Sequence, residues 1–548
     1  MSNKNSENQN RQDKRKIDSS LKFVVDRPIL LLIIIGLVGL IIRLYYFPFN
    51  LPIIYDGVDY FSYAVVVSQQ GQLPNGWNLT NNGWPIFLSV FFSIFDLENF
   101  LAFTYLQRYL TIIISVLTII PVYLLCSRFV DKSYAILGAA LFSFDPRIII
   151  NSLLGIPESC FILLGTLSLF LFLSKNFRAV IMSFMVLALF VMIRYEGILI
   201  VIPFLIMFFV RYRKDKKFLK KIFLVIGVFI ITILPMEYAR FEAMGEESIV
   251  MPILSGGLNY VSTHVIQGIP DYDDPIYGSD SGESKLPLFI SLGLINLIKY
   301  LGWILIPTFV FFVPIGFFII LQKRDFKTIT IFLFAITMLV PAFYAYGRGI
   351  EETRYLYILF PLFCVMSSFT IKKIRTKFRK QNLVMILLVT GIIFSSIIFL
   401  DYKKVDYEHE KESYLIAKDV VRITKGINHY APDSKWIQIA EISNNWPKIP
   451  LPKETSYDQS FEIKKISPND YSSLKDYIKN SKEKGLTHIV VNGEQDNPEF
   501  LNDVFYHEGK YSYLIKEYDS LDHGFNFQIK VYKIDYIKFQ NLYDKIKS

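Results

Sequence analysis

Long apolar runs recur along this 548-residue chain and limit its folding more than any other feature. The first run, from Pro28 to about Pro48, has the roughly 20-residue length that an α-helix needs to cross a bilayer. Hydrophobic residues make up 52% of the sequence, and the mean hydropathy is +0.35 despite a polar C-terminus. We therefore predict a polytopic α-helical membrane protein with about eleven transmembrane helices. The other ten runs lie at about 103–127, 133–150, 157–174, 179–193, 196–210, 221–239, 300–321, 328–346, 354–370 and 382–400.

The lysines and arginines of the loops indicate how these helices are oriented. Five alternate loops contain 20 of them, at 127–132, 175–178, 211–221, 322–327 and 372–380. The stretch from Phe49 to Phe103 contains none, and the loop from Arg240 to Leu286 has eight carboxylates against two cations. Because cytoplasmic loops are enriched in Lys and Arg, we expect a plasma-membrane protein with a cytoplasmic N-terminus and an extracytoplasmic C-terminus. The net charge of +9 then reflects topology, and no nucleic-acid partner is expected.

Three domains are expected. Residues 1–27 are polar and predicted to be a disordered cytoplasmic N-terminus, residues 28–400 form the transmembrane domain, and residues 401–548 form an extracytoplasmic α/β domain. Within the last domain, the predicted helices are Leu415–Ile427 and Tyr471–Lys484, and the predicted strands are Trp436–Ala440, Thr487–Asn492 and Phe527–Ile534. This domain carries no phosphate loop or nucleotide fingerprint, so its sequence predicts no chemistry.

A pair of carboxylates follows the first apolar run. Asp56 and Asp59 belong to the segment Tyr55-Asp56-Gly57-Val58-Asp59-Tyr60, and helical spacing places Asp56, Asp59 and Tyr60 near one face. Ionisable groups are costly at a bilayer, so this pair is a candidate functional site. The apolar piece from Trp84 to Phe95 is too short to span and predicts an interfacial helix.

These motifs resemble those of the GT-C superfamily of membrane glycosyltransferases, and specifically its protein mannosyltransferases and aminoarabinose transferases. The family pattern has an acidic residue in the first exterior loop, an aromatic residue four positions later and a small residue eight positions later. Two juxtamembrane helices follow, and the second span ends in a basic turn. The matching positions are Asp56, Tyr60, Ala64, Trp84-Pro85 and Ser127-Arg128, then Leu153 to Glu158, Arg194-Tyr195-Glu196-Gly197, and Glu352-Thr353-Arg354-Tyr355-Leu356 before Pro361. The resemblance covers about residues 20 to 400.

The resemblance implies a GT-C fold with exterior juxtamembrane helices and a polyprenyl (dolichyl) phosphate-linked sugar as donor. It implies Asp56 as the catalytic residue and Asp59, Tyr60, Glu158, Arg354 and Tyr355 as substrate-binding residues. Arg108 and Arg348 join the substrate-binding candidates because they lie on the side where the charge bias disfavours cations. A planar guanidinium also suits a lipid phosphate.

Two departures from the family narrow the expected reaction. Asp56 is followed by Gly57, whereas members that modify proteins or lipid A often have Asp-Glu. The Trp-Trp-Asp-Tyr-Gly motif of oligosaccharyltransferases is absent from the sequence. We therefore expect an inverting transfer of a single sugar to a hydroxyl of a glycan, lipid or protein acceptor. One carboxylate suffices as base, because a phosphate leaving group needs only positive charge beside it.

Structural roles remain open for each candidate. Asp56 and Asp59 could cap a helix or lie solvated in a loop, and Glu158 could cap a helix N-terminus. Arg108 could extend its guanidinium to the membrane surface, and Arg354 could be an ordinary anchor at that surface. For Arg194 and Glu196, a simple salt bridge is favoured over a role in the site.

A divalent metal is a further open question, and its candidate ligands are Asp56, Glu158 and His264. His264 lies in a predicted exterior loop with acidic residues at 271, 273 and 274, a set that either holds a metal or is simply solvated. Two other function classes are also compatible with the chain. A transporter or flippase for lipid-linked sugars should place ionisable groups at the membrane midplane, and a sensor would not need eleven spans.

Overall fold

The computed structural model describes residues 27–53, 56–95, 99–245, 250–271, 276–278, 283–375, 381–424, 429–430, 434–446, 466, 468, 471–493 and 498–544. The predicted disorder of residues 1–27 falls outside these residues except for Arg27. Helices in the first half are α1 (Pro28–Tyr45), α2 (Asp56–Gln70), α3 (Gly83–Ile94), α4 (Phe100–Leu117), α5 (Ile119–Cys126), α6 (Lys132–Ser143), α7 (Pro146–Ser152), α8 (Glu158–Phe172), α9 (Phe177–Ile193), α10 (Val201–Tyr212) and α11 (Phe218–Met244). There follow α12 (Leu286–Leu305), α13 (Phe312–Leu321), α14 (Phe326–Gly347), α15 (Phe360–Arg375) and α16 (Gln381–Thr424).

The multi-pass helical architecture is confirmed. Among the described residues, eight helices are long and apolar enough to cross a membrane, or nine if α6 and α7, which meet at 55°, form one span. Shorter apolar helices of 10 to 17 residues are α3, α8, α9 and α13. The predicted count of eleven spans is not confirmed, because several predicted runs form helices too short to cross alone.

The predicted span at about 300–321 is misplaced. The chain instead forms α12 from Leu286 and, after a break, α13 from Phe312. Ile306 is extended at the end of α12, and Pro307 cannot supply the N–H that a continuing helix needs. Lys299 interrupts the apolar run and hides the first half of α12 in the sequence, and in the structure it pairs with Glu351 at 3.5 Å.

A tight turn between α7 and α8 fixes the start of α2. Gly155 in this turn has φ of +74°, a left-handed conformation that favours glycine. Gln107 Nε2 donates to the carbonyl oxygens of Gly155 at 2.7 Å and Gly57 at 3.1 Å. A Cβ at position 57 would lie 3.3 Å from the Leu154 carbonyl oxygen. This close packing explains why glycine follows Asp56. The first turn of α2 is thereby held against the membrane helices.

The C-terminal part contains a small four-stranded sheet. Its strands are β1 (His429–Tyr430), β2 (His488–Asn492), β3 (Leu514–Asp519) and β4 (Ile529–Ile534), in the order β1-β2-β4-β3. β1 and β2 are parallel, and the other pairs are antiparallel. Helices α17 (Ser434–Asn445), α18 (Leu474–Ser481), α19 (Glu499–Tyr506) and α20 (Tyr536–Asp544) accompany the sheet. The α/β prediction is confirmed.

One predicted strand is wrong. Trp436–Ala440 lies within helix α17, and Trp436, Ile439 and Ala440 are buried at helical spacing. The alternating Ile437 and Ile439 suggested a strand because the segment was too short to distinguish the two periods. Helix α16 runs without a break through the predicted domain boundary at residue 400 and ends at Thr424. The last residues of the predicted helix to Ile427 lie outside the described part of the chain.

Helix α16 connects the membrane helices to the sheet. Glu412 on α16 accepts a hydrogen bond from the Phe527 backbone N–H at 2.7 Å. Glu410 accepts one from Trp436 Nε1 at 2.8 Å, which fastens α17 to α16. The C-terminal part is therefore attached along the last turns of α16.

Candidate functional site

Asp56 lies at the first position of α2 and contacts an arginine from a distant part of the chain. Arg354 Nη1 donates to Asp56 Oδ2 at 2.6 Å, and Arg354 Nε also contacts the Glu352 carboxylate. The Asp56 side chain is 47% exposed and the Arg354 side chain is 22% exposed. The structure thus brings together the predicted catalytic residue and one predicted substrate-binding residue.

A second group of charges lies beside the first. Glu158 begins α8 and is buried, and its Oε1 accepts a hydrogen bond from Arg194 Nη1 at 2.6 Å. Arg194 Nη2 also donates to Glu196 Oε1 at 2.8 Å, so the expected Arg194–Glu196 salt bridge is present. Within the described residues, Glu158 Oε2 is buried and has no hydrogen-bond partner. Such an oxygen is available to a polar group of a ligand.

The two groups meet at one pocket. Its ionisable lining residues are Glu158, Arg194, Glu196 and Arg354, and its aromatic lining residues are Phe161, Tyr355 and Tyr357. The Tyr355 ring lies between the two arginines, with its centroid 5.8 Å from Arg194 Cζ and 5.9 Å from Arg354 Cζ. Such stacking holds both guanidiniums in place. Asp56 adjoins the pocket through its contact with Arg354.

Tyr60 lies one turn after Asp56 on α2 and is 8% exposed. Burial raises the pKa of its phenol, and nearby Arg194, Glu158 and Asp56 also act on it electrostatically. The side chain is therefore neutral and can donate or accept a hydrogen bond at the edge of the site.

Arg108 has a different environment from the one predicted. It is buried in α4 and donates to the backbone carbonyl oxygens of Leu51 and of Pro52, the latter at 2.9 Å. These carbonyls belong to the extended segment that leads into α2. Arg108 does not line the pocket, and it fixes the backbone before Asp56 instead.

Three other candidates also lie apart from the pocket lining. Asp59 is half-buried on α2, and Arg348 Cζ stacks 4.0 Å from the Tyr260 ring centroid. His264 Nδ1 lies 2.9 Å from the Ile269 carbonyl oxygen. No three His, Cys, Asp or Glu side chains of the described chain converge as metal ligands, and positions 273 and 274 lie outside it. We therefore derive no step through a metal.

Sequence reasoning missed Tyr357 and treated Glu196 only as a salt-bridge partner. Tyr357 lines the pocket, and its hydroxyl lies 2.9 Å from Thr353 Oγ1. The residues from Thr353 to Leu359 form a 3₁₀-helix, in which side chains three positions apart eclipse each other. That spacing places Tyr357 on the same side as Arg354, and this signal would have identified it.

This chain is similar to one protein-family model and to solved structures. Residues 84–238 match the family model described as dolichyl-phosphate-mannose-protein mannosyltransferase. The match includes α3 from its second residue and the pocket residues Glu158, Arg194 and Glu196. No curated protein matches the chain in sequence.

Solved structures share the fold, and two of them illustrate the similarity. One is the Archaeoglobus fulgidus oligosaccharyltransferase in complex with Zn and sulfate, with 16% identity, a TM-score of 0.55 and coverage of 89% of this chain and 71% of that chain. The other is ArnT from Cupriavidus metallidurans bound to undecaprenyl phosphate, with 10% identity, a TM-score of 0.51 and coverage of 92% and 97%. At these identities the likeness concerns the fold. The predicted resemblance is confirmed: the chain has the fold of the GT-C superfamily, and its neighbours in sequence and structure are glycosyltransferases.

Proposed function

We propose that this protein is an inverting glycosyltransferase that moves a monosaccharide from a polyprenyl (dolichyl) phosphate carrier to an acceptor hydroxyl. The observation that carries the proposal is the contact between Asp56 and Arg354 at 2.6 Å, at the edge of a pocket lined by charged and aromatic side chains. It joins the two groups that such a transfer requires, a base for the acceptor and a cation for the leaving phosphate.

In the proposed reaction, the acceptor oxygen forms a bond to the anomeric carbon while the bond from that carbon to the carrier phosphate breaks. The phosphate leaves with the bonding electron pair, and the acceptor proton passes to the Asp56 carboxylate. Attack from the face opposite the leaving group inverts the anomeric configuration. One carboxylate is sufficient because the phosphate leaves as a stable anion that needs no general acid, and direct displacement needs no second carboxylate as nucleophile.

Arg354 is the proposed phosphate-binding residue, and it must exchange partners to act. Four carboxylates, Asp56, Glu158, Glu196 and Glu352, surround Arg194 and Arg354. Each arginine contacts two carboxylates and the Tyr355 ring, but the two pairs differ in exposure. The side chains of Arg194 and Glu158 are 12% and 3% exposed, whereas those of Arg354 and Asp56 are 22% and 47% exposed. A donor phosphate would take the place of Asp56 at the Arg354 guanidinium. The freed carboxylate could then accept the proton.

Two further residues support substrate binding in this proposal. The pocket has about 20 Å³ of free space, which admits a hydroxyl group but not a sugar ring. The unpartnered Glu158 Oε2 would accept a hydrogen bond from a sugar hydroxyl that reaches into it, and the neutral Tyr60 phenol would bond the donor or acceptor. Arg108 and Arg348 are not direct ligands in this proposal, because Arg108 donates to backbone carbonyls and Arg348 stacks on the Tyr260 ring. Asp59, half-buried three residues after Asp56, is given no role in the reaction.

The proposed reaction takes place on the extracytoplasmic face of a cell membrane. This orientation rests on the 20 lysines and arginines of the alternate loops and on their absence from Phe49 to Phe103. Residues 28–400 would form the catalytic domain and residues 401–548 an extracytoplasmic domain. The structure of ArnT with undecaprenyl phosphate supports a lipid phosphate as the donor's carrier, since that protein has the same fold.

Kinetics of Arg354 variants test the proposal. Hydrogen bonds to charged groups contribute about 1.5 to 3 kcal/mol, so Arg354→Ala should lower kcat/KM for a polyprenyl-phosphate sugar roughly ten- to a hundredfold. Arg354→Lys should recover only part of the loss, because an ammonium cannot reproduce the fork of a guanidinium. Arg178→Ala, at an exposed position far along the chain, is the matched control. Unchanged kcat/KM per folded molecule of Arg354→Ala would refute the phosphate-binding role.

A further inference from the structure

We propose that a groove between the membrane helices and the C-terminal part binds an anionic saccharide. Its description as the acceptor's binding site rests on the proposed function. The binding itself does not. Asn50, Asn99 and Phe100 line the groove on the side of the membrane helices, and Lys411, Lys418 and Trp446 line it on the side of α16 and α17. The space between them is about 640 Å³. Small-molecule clefts measure about 300–1,000 Å³, so several sugar rings fit.

The charge of the groove favours an anion. Lys411 and Lys418 lie seven residues apart on one face of α16, and neither forms an ion pair within the described part of the chain. The acidic residues between positions 410 and 419 are already engaged: Glu410 and Glu412 bind the C-terminal part, and Asp419 pairs with Arg422 at 2.9 Å. Both unpaired cations therefore face the groove, where a carboxylate or phosphate would compensate them.

The remaining lining favours a saccharide over a bare anion. Trp446 is partly exposed and offers a ring to the groove, and the buried Phe100 ring lies behind it with the two centroids 5.9 Å apart. Tyr414 is buried and belongs to the wall of α16. Asn50 and Asn99 lie opposite. The Asn99 Oδ1 already accepts a hydrogen bond from the Ala102 N–H at 2.8 Å, so Asn99 offers chiefly its amide N–H groups, whereas the Asn50 amide can both donate and accept. An indole ring for the apolar side of a sugar and amides for its hydroxyls are groups that suit a carbohydrate.

The groove adjoins the helix that begins with the proposed base. The Trp446 ring lies 5.7 Å from the Phe61 ring and 5.1 Å from the Phe103 ring. Phe61 is fully buried on α2, five residues after Asp56. A saccharide held in the groove would therefore lie beside α2, from which its hydroxyl end could extend toward the site.

The test is a binding experiment with the full chain in nanodiscs of zwitterionic lipid. The probes are a hexamer of galacturonic acid, which is anionic, and maltohexaose, which is neutral. We expect the anionic hexamer to bind at least roughly tenfold more tightly, and to weaken as salt is added. Lys411→Gln combined with Lys418→Gln should weaken its binding roughly tenfold or more. Lys403→Gln is the control, since this lysine of the same helix pairs with Asp406 at 2.9 Å.

Three results would overturn the proposal: no binding of the anionic hexamer, equal binding of the neutral one, or an unchanged double variant. A fourth is loss of hexamer binding in nanodiscs that contain phosphatidylglycerol, which would assign the groove to lipid headgroups. The two proposals fail separately. Intact transfer without hexamer binding refutes only the groove, and hexamer binding without any transfer refutes only the proposed enzyme.

Discussion

Replacing Asp56 by Asn should separate catalysis from carrier binding. Removing a positioned base costs roughly a hundred- to ten-thousandfold in rate, so kcat should fall by that factor. The same change removes the carboxylate that occupies Arg354. The Asp56 side chain is 47% exposed and the Arg354 side chain 22% exposed, so we class their ion pair with exposed pairs. Such pairs contribute about 0.2–1 kcal/mol of interaction free energy. Polyprenyl phosphate should therefore bind the variant roughly 1.4- to fivefold more tightly than it binds wild type.

Two measurements check this forecast on the same preparation. Single-turnover kinetics with a labelled donor give the rate, and titration with polyprenyl phosphate gives the Kd. Glu351→Gln is the matched control, because this exposed carboxylate is close in sequence to Arg354 but pairs with Lys299. Turnover near that of wild type would remove Asp56 from the mechanism. Weaker carrier binding by the variant would show that Asp56 does not compete with the phosphate for Arg354.

Three further changes have defined outcomes. Arg108→Ala should lower the free energy of unfolding by about 1–3 kcal/mol, seen as a lower Tm, because the buried carbonyls before α2 lose their donor. Trp446→Ala should destabilise the chain by about 2–3 kcal/mol, and Trp446→Phe should restore most of the Tm, because its ring packs against Phe61. Burial raises the pKa of Glu441 from 4.5 to about 7, so the folded state binds an extra proton in this window and stability falls as pH rises through it. Glu441→Gln should flatten the dependence of Tm on pH, whereas Glu483→Gln, an exposed change, should leave it unaltered.

The sequence predicted the fold class because apolar length and loop charge report directly on a bilayer. It located the segments that form the pocket because Asp56, Glu158, Arg194 and Arg354 interrupt apolar or cation-free stretches. It failed where the local pattern was short or broken. Lys299, for example, interrupts the apolar run and concealed the start of α12 at Leu286.

The sequence also could not predict which groups the buried and partly buried arginines contact. Arg108 and Arg354 look alike as arginines retained against the charge bias, yet one donates to backbone carbonyls and the other to a carboxylate. Only tertiary contacts distinguish these environments, because the residues concerned are separated by 56 and 298 positions along the chain. The pairing of Arg354 with Asp56 could not be derived from spacing.

Transfer of a labelled sugar tests the central claim most directly. The purified protein is placed in sealed vesicles with a radiolabelled polyprenyl-phosphate sugar and a mixture of membrane-derived acceptors, and the label is followed between the lipid and glycoconjugate fractions. The account predicts that label passes to the acceptor with inverted anomeric configuration, and that Asp56→Asn slows this passage roughly a hundred- to ten-thousandfold while the carrier still binds. Intact labelled donor that merely crosses the bilayer would contradict the account and identify a transporter.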